Sequence, residues 1–423
     1  MTMDFALKGD ILYSKSLNKV SENVRSYLVC VDGKCEGVFK KLPSKYKGIK
    51  VYDYSGNLII PGLVDMHLHA PQYMFIGLHM DLELIDWLNT YTFPTEARYK
   101  DIRFAKKAYD IFVNDLTHSP TTRFSMFATI HNDATLYLVD KLDKIGFKGY
   151  VGKINMDRNS PKYLIEKTEK SIKDTIKYIE SVKKYKNIKP IITPRFIPSC
   201  SDTLMRKLSD IVKTYDLPVQ SHLSENRAEI EWVKELMPSV KCYEEAYDRF
   251  DMLGSVTNTI MAHYVWPDEK GIELMKKRNV WVAHCPSSNR NLSSGIAPVG
   301  RFLREKIKVG LATDVAGGSY LSMFRAMEDA ITTSKIRKCL YDPEYYNVTI
   351  EQALYLATIS GGEFFGKVGS FEKGYEFDAV VIDEKSIPTV LMKELTVLER
   401  FERFVYRAKN KVKAKFIAGK KVI

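Results

Sequence analysis

A chain of 423 residues with 45% hydrophobic and 27% charged side chains is too apolar to stay disordered. It is long enough for one large core and a smaller domain, since single cores stop growing at about 250–300 residues. Lys and Arg outnumber Asp and Glu by 64 to 52, but the excess is diffuse, and its densest run, Lys183-Lys184-Tyr185-Lys186, closes a Lys/Glu-rich stretch that reads as a solvated helix, which speaks against a nucleic-acid partner.

The N-terminal stretch Met1 to Ser14 carries Asp4, Lys8 and Asp10 where a secretory signal needs an unbroken apolar core. No apolar run in the chain approaches about 18 residues, so neither export nor a membrane span is expected. Residues 1–60 show short alternating strands, Tyr27–Val31 and Gly37–Lys40, around the tight turn Asp32-Gly33. From residue 58 to 314 a different pattern takes over. Eight short apolar runs recur: Leu58–Val64, Arg123–Ile130, Gly149–Asn155, Pro190–Phe196, Pro218–His222, Asn258–His263, Val280–His284 and Val309–Thr313. Helical-period segments such as Tyr163–Lys186 and Arg227–Leu236 separate most of them. From about residue 367 the chain returns to short strands, Ala379–Ile382 and Lys413–Ile417, and the turn Ala418-Gly419.

Strands alternating with helices predict a parallel sheet, and eight such units predict closure into a barrel. The expected fold is therefore α/β: a (β/α)8 TIM-type barrel over residues 61–366, with 1–60 and 367–423 pairing into one small β-sandwich domain. Six scattered cysteines (Cys30, Cys35, Cys200, Cys242, Cys285, Cys339) lack CxxC spacing and are too sparse for a disulfide scaffold. Reduced thiols in a cytoplasmic protein are expected.

Barrel enzymes assemble their sites at the downstream ends of the strands. Five of the eight histidines fall there. The first strand ends in Asp65-Met66-His67-Leu68-His69, and residues i and i+2 of a strand point to one side, so both imidazoles can face one ion. His222, His263, His284 and Asp314 end later strands. Together His67, His69, His222 and Asp314 offer a nitrogen and oxygen donor set suited to Zn2+ or another borderline divalent ion. Such an ion lowers the pKa of water from 15.7 towards about 7, which makes hydroxide available at neutral pH and points to hydrolysis. Glu225, three residues after His222, stands where the fifth strand turns into its helix. An acid there is favoured by the helix dipole alone, but beside these ligands it reads as a proton shuttle.

Pro61-Gly62-Leu63-Val64-Asp65-Met66-His67-Leu68-His69 resembles the opening motif of the amidohydrolase superfamily, and the order HxH, HxxE, His, Asp resembles its single-metal deaminase branch. The resemblance runs over almost the whole chain. It implies one zinc per chain, iron(II) in some members, held by His67, His69, His222 and Asp314. Glu225, His263 and Asp314 would then be catalytic, His263 orienting the hydroxide and Asp314 helping to accept the proton of the water. His69-Ala70-Pro71-Gln72-Tyr73, Pro194-Arg195-Phe196 and Thr313-Asp314-Val315-Ala316-Gly317-Gly318 are similar to the guanine-deaminating members. They imply a guanine substrate held by Gln72, Arg195 and Phe196 together with His69, His222, Glu225, His263 and Asp314. They also imply a homodimer.

Two other readings stand beside this one, and a third is excluded. A related amidohydrolase acting on cytosine, an adenosine-type compound or a triazine would carry the same metal residues. A non-catalytic scaffold of the same fold would lack them. The other zinc deaminase design needs a P-C-x-x-C element that does not occur here. Lys153 is a candidate modified bridging lysine of a two-metal site, or a solvent-facing or salt-bridged lysine. His131, His284 and Cys285 are expected to shape the pocket, contact substrate or pack; Cys285 also offers a nucleophile, but covalent catalysis is not expected where a metal hydroxide is available.

Overall fold

The computed structural model describes residues 4–407 and 412–423, so Met1 to Met3 of the N-terminal stretch and residues 408–411 of the C-terminal segment lie outside it. The two chain ends form one seven-stranded sheet. Its order is Lys420–Lys421, Val412–Ile417, Ala379–Ile382, Lys50–Pro61, Phe5–Ser16, Lys19–Val31 and Lys34–Phe39. Phe5–Ser16 runs parallel to Lys50–Pro61, and every other pair is antiparallel. The expected sandwich of two sheets is thus, in hydrogen-bonding terms, a single continuous sheet with both faces covered. Phe5, Leu7, Ile11 and Phe416 pack with Phe371 and Phe377 on one face. Leu12, Leu58, Ile60, Val380 and Ile382 join the main core on the other.

That double burial explains one displaced boundary. The run Leu58–Val64 is two strands: Leu58 to Pro61 ends the terminal sheet, and Leu63–His69 begins the parallel system. Strands covered on both faces are apolar throughout, so the junction carries no polar mark. Gly62 stands at the junction because a Cβ there would lie 2.2 Å from Thr122 Oγ1. Both turns named above form, with Asp32, Gly33, Ala418 and Gly419 all at positive φ.

Two four-stranded parallel sheets follow. The first holds Leu63–His69, Thr121–Phe127, Lys148–Gly152 and Ile188–Pro190; the second holds Val219–Leu223, Thr259–His263, Trp281–His284 and Lys308–Leu311. Ile154–Asn155 pairs with Thr193–Pro194. At one margin Gln220 N–H donates to Ile192 O at 3.0 Å; at the other, Asp314 N–H donates to His67 O and His69 N–H to Val315 O, both at 2.9 Å. Helices separate successive strands. Arg227–Leu236 is found as expected, whereas Tyr163–Lys186 contracts to Thr168–Val182, with Glu166 just ahead of it turned in to pair with Lys153. The C-terminal segment also contains a helix, Val397–Arg407, which buries Val397, Phe401, Phe404 and Val405. Its apolar spacing is that of one helical face.

The two halves of the molecule are tied by a buried ion pair at the upstream end of the strands. The Arg123 guanidinium donates to Asp378 through Nε at 2.5 Å and Nη2 at 2.9 Å, and Nη2 also reaches Glu376 at 2.7 Å. Removing one member leaves a buried charge unpaired, which costs about 3–5 kcal/mol. Arg123→Leu is therefore expected to lower unfolding free energy by about that amount, measured by urea denaturation. Activity per folded molecule should stay close to that of the parent, because Arg123 is at the end of its strand remote from the histidines.

Candidate active site

The parallel strands deliver the histidines to one place. His67 and His69 lie inside Leu63–His69, every residue of which is buried. His222 is in Val219–Leu223, His263 closes Thr259–His263, and Asp314 follows Lys308–Leu311. The backbone is unusual at the points of delivery. Ser224, His263 and Asp314 all hold left-handed φ values, 48°, 75° and 45°, a conformation costly for side-chain-bearing residues that persists only when the surroundings enforce it.

His69 Nε2 faces His222 Nε2 at 3.2 Å, His67 Nε2 lies 3.1 Å from Asp314 Oδ1, and His263 Nε2 lies 3.3 Å from Glu225 Oε2 and 3.8 Å from Asp314 Oδ2. Partners on the outer side fix two of the rings. His222 Nδ1–H donates to the Arg195 carbonyl at 2.6 Å, and His263 Nδ1–H donates to Asn289 Oδ1 at 2.9 Å. Since a neutral imidazole carries one N–H, both Nε2 atoms are left with a lone pair directed inward. Burial lowers the pKa of His67, His69 and His222 below the ordinary histidine value, so their neutral forms are favoured. Burial opposes ionisation of Asp314, yet His67 and His263 hold its carboxyl down at about 2.

Buried lone pairs facing one another repel unless something positive lies between them. His67 Nε2 and His263 Nε2 have no hydrogen-bond partner among the described residues. The donor atoms of His67, His69 and His222, and those of His67, His263 and Asp314, lie within 4.8 Å of one another. This set fits a divalent cation of the zinc class. Asp65, which heads the HxH motif, works behind it: its carboxylate accepts from Thr313 N–H at 3.0 Å and Thr313 Oγ1–H at 2.6 Å, locking the first strand to the last beside Asp314.

Glu225 is 4% exposed, and burial, reinforced by Asp314 and Glu229, raises its pKa well above the usual carboxylate value. It can therefore hold a proton near neutral pH. Glu229 fixes it in place. Glu229 Oε2 accepts the Glu225 N–H at 2.9 Å and the Asn226 N–H at 3.3 Å, while Oε1 accepts from Tyr243 at 2.7 Å. The sequence signal for Glu229 was the capping box Asn226-x-x-Glu229, formed here at the start of Arg227–Leu236.

A cavity opens beside this cluster, lined by His69, His222, Glu225, Glu229, His263 and Asp314. Gln72, Arg195 and Phe196 line it as well, so the expected substrate residues and the metal-type cluster face the same space. Leu84, Trp87, Leu88 and Leu292 supply further apolar wall. The first three come from a segment after the HxH strand that no motif marked. Phe196 is held edge-on to Trp232, centroids 6.1 Å apart.

Four residues left open by the sequence do not line this cavity. Lys153 is buried in an ion pair with Glu166, 2.7 and 2.8 Å from its two oxygens, and with Ser171 nearby. His131 precedes the helix Asn132–Ile145. His284 is buried, and burial pushes its pKa down to about 3. Cys285 is buried and its thiol is raised well above the ordinary value, the reverse of an activated nucleophile.

The amidohydrolase family profile matches residues 58–422. A guanine deaminase of Mus musculus is 43% identical over 334 residues, 77% of this chain and 73% of that protein. One from Dictyostelium discoideum is 34% identical over 443 aligned positions, covering 98% of this chain and 97% of that one. The crystal structure of a guanine deaminase from C. acetobutylicum, with guanine bound in its active site, superimposes with a TM-score of 0.96 at 42% identity, covering 99% of this chain and 100% of that one. The chain therefore belongs to the amidohydrolase family, alongside its guanine deaminases.

Proposed function

We infer that the protein is a hydrolase that converts guanine and water to xanthine and ammonia. The observation that carries this is the single cavity into which the histidine cluster, the buried Glu225 and the polar pair Gln72 and Arg195 all project. Likeness to a guanine-bound deaminase over the full chain supports the same substrate. The reaction class is hydrolysis of a C–N bond in a cyclic amidine.

We propose that His67, His69, His222 and Asp314 hold one divalent cation, zinc or alternatively iron(II). When bound, it supplies the Lewis acidity that lowers the pKa of water towards neutrality. The chain's own groups then manage orientation and protons. His263, its Nδ1–H engaged by Asn289, presents Nε2 as an acceptor that orients the attacking water towards C2 of guanine. Asp314 and Glu225 accept its protons. Glu225 delivers the first to the ring nitrogen beside C2; the second, taken by Asp314 from the new hydroxyl, passes through Glu225 to the departing amine, so that ammonia leaves as the C2 carbonyl forms. Arg195, with donors only, and Gln72, with donor and acceptor, hydrogen-bond the polar edge of the base, while Phe196 contributes aromatic wall.

The same reading takes the two parallel sheets, joined by the Ile192–Gln220 and His67–Asp314 backbone bonds, as one (β/α)8 barrel over residues 61–366. The segments 1–60 and 367–423 then make up a separate small domain. It also carries a cytoplasmic homodimer, the commonest symmetry of soluble oligomers. Among the described residues no helix is long and apolar enough to cross a membrane.

Purified protein loaded with zinc is expected to convert guanine, followed by ultraviolet absorbance, and to leave adenine, cytosine and a triazine untouched. Chelation should abolish turnover and added zinc restore it; turnover confined to another heterocycle would displace guanine as the substrate. Glu225→Gln should keep its metal and lose about 10²–10⁴-fold in kcat, and near-parental activity would remove it from proton transfer. Arg195→Ala should lower kcat/KM for guanine with metal content unchanged. An unaltered kcat/KM would reduce Arg195 to a packing role.

A further inference from the structure

The two side chains assigned to the polar edge of the substrate are not independent. Both are held by Glu96, a carboxylate 1% exposed on the helix Phe93–Arg98. Glu96 Oε2 accepts from Arg195 Nη1 at 2.6 Å, and Oε1 accepts from Arg195 Nη2 at 3.2 Å and from Gln72 Nε2 at 3.0 Å. The Arg195 guanidinium also lies over the Phe93 ring, 5.0 Å from its centroid. We propose that Glu96 is the positioning residue of the substrate pocket, holding Gln72 and Arg195 in the one arrangement that reads a neutral oxopurine.

Two consequences of the geometry support this. The Gln72 amide is pinned at both ends, its Nε2 donating to Glu96 and its Oε1 accepting the Ala316 N–H at 3.3 Å. A flip would set oxygen against carboxylate and NH2 against N–H, so the amide presents a fixed polarity to whatever occupies the cavity. Arg195, paired in a two-pronged contact, is neutralised while three of its five N–H groups remain for a substrate. An unpaired guanidinium in a buried pocket would instead favour an anion. Glu96 also belongs to the helical segment that covers the cavity, since Leu84, Trp87 and Leu88 on its earlier turns line the same space. Closing the pocket and setting its polar edge are thus functions of one stretch of chain.

The proposal rests on guanine as substrate, so the parent protein is assayed first. Absence of guanine turnover by the parent defeats the reading of function; a variant result defeats only the role of Glu96. Glu96→Gln keeps the shape and removes the charge. It is expected to raise KM for guanine about tenfold or more, with metal content unchanged and kcat within about threefold of the parent. Because Glu96 acts in part through Arg195, the loss in kcat/KM for Glu96→Gln combined with Arg195→Ala should fall short of the product of the two single losses. A folded, metal-loaded Glu96→Gln with parental KM, or full additivity with Arg195→Ala, overturns the proposal. Should the unpaired arginine prevent Glu96→Gln from folding, Glu96→Asp keeps the charge but withdraws it by one methylene. A raised KM there supports the role, and a parental KM overturns it.

Discussion

Four imidazoles, His67, His69 and His263 buried and His222 half-buried, and two buried carboxylates share a space a few ångströms across, and the rest of the structure is arranged around keeping them there. Such a group is costly to desolvate, and hydrogen bonds on its outer side offset part of that cost, although His69 Nδ1 has no partner among the described residues. The outer partners come from distant parts of the chain: the Arg195 carbonyl for His222, Asn289 for His263, and Thr313 for Asp65. Each of these bonds also sets what its partner offers inward. The carbonyl behind His222 decides which nitrogen carries the hydrogen. The same residue, Arg195, lines the substrate cavity with its side chain, so its backbone addresses the metal cluster and its guanidinium the base.

Charge separates two neighbouring acids into different roles. Asp314 and Glu225 are both buried and both lie close to His263. Asp314 sits among imidazoles that hold it ionised, whereas burial, with Asp314 and Glu229 nearby, raises Glu225. One acid rests as an anion, ready to accept a proton, and the other rests as a proton holder, and the difference comes from surroundings rather than residue type.

The site was legible where chemistry forces a residue type at a strand end: HxH, HxxE, the later His263 and Asp314. It was not legible where a residue works through another. Glu96 stands in a segment with no metal spacing and no strand, and only its two bonds to Arg195 and one to Gln72 reveal it. The parallel strands were found by their apolar runs, but the same uniform burial hid the break at Gly62. In the C-terminal segment the strands Ala379–Ile382 and Val412–Ile417 were readable, while the helical period of Val397, Phe401, Phe404 and Val405 lay between them unread. Lys153 illustrates the opposite limit, because its position on a parallel strand is compatible with metal chemistry, and only its partner Glu166, across a turn, settles that it is ion-paired.

The terminal sheet has a consequence for the order in which the protein is made. Ala379–Ile382 bonds along Lys50–Pro61, a strand synthesised more than three hundred residues earlier. Until that late strand emerges from the ribosome, the early one has an open edge with its backbone groups unpaired, the kind of surface that other chains can add to. Chaperone protection during synthesis matters most in that interval, and a premature stop before residue 379 would leave the edge exposed permanently. The last tenth of the chain, remote from the chemistry, closes it.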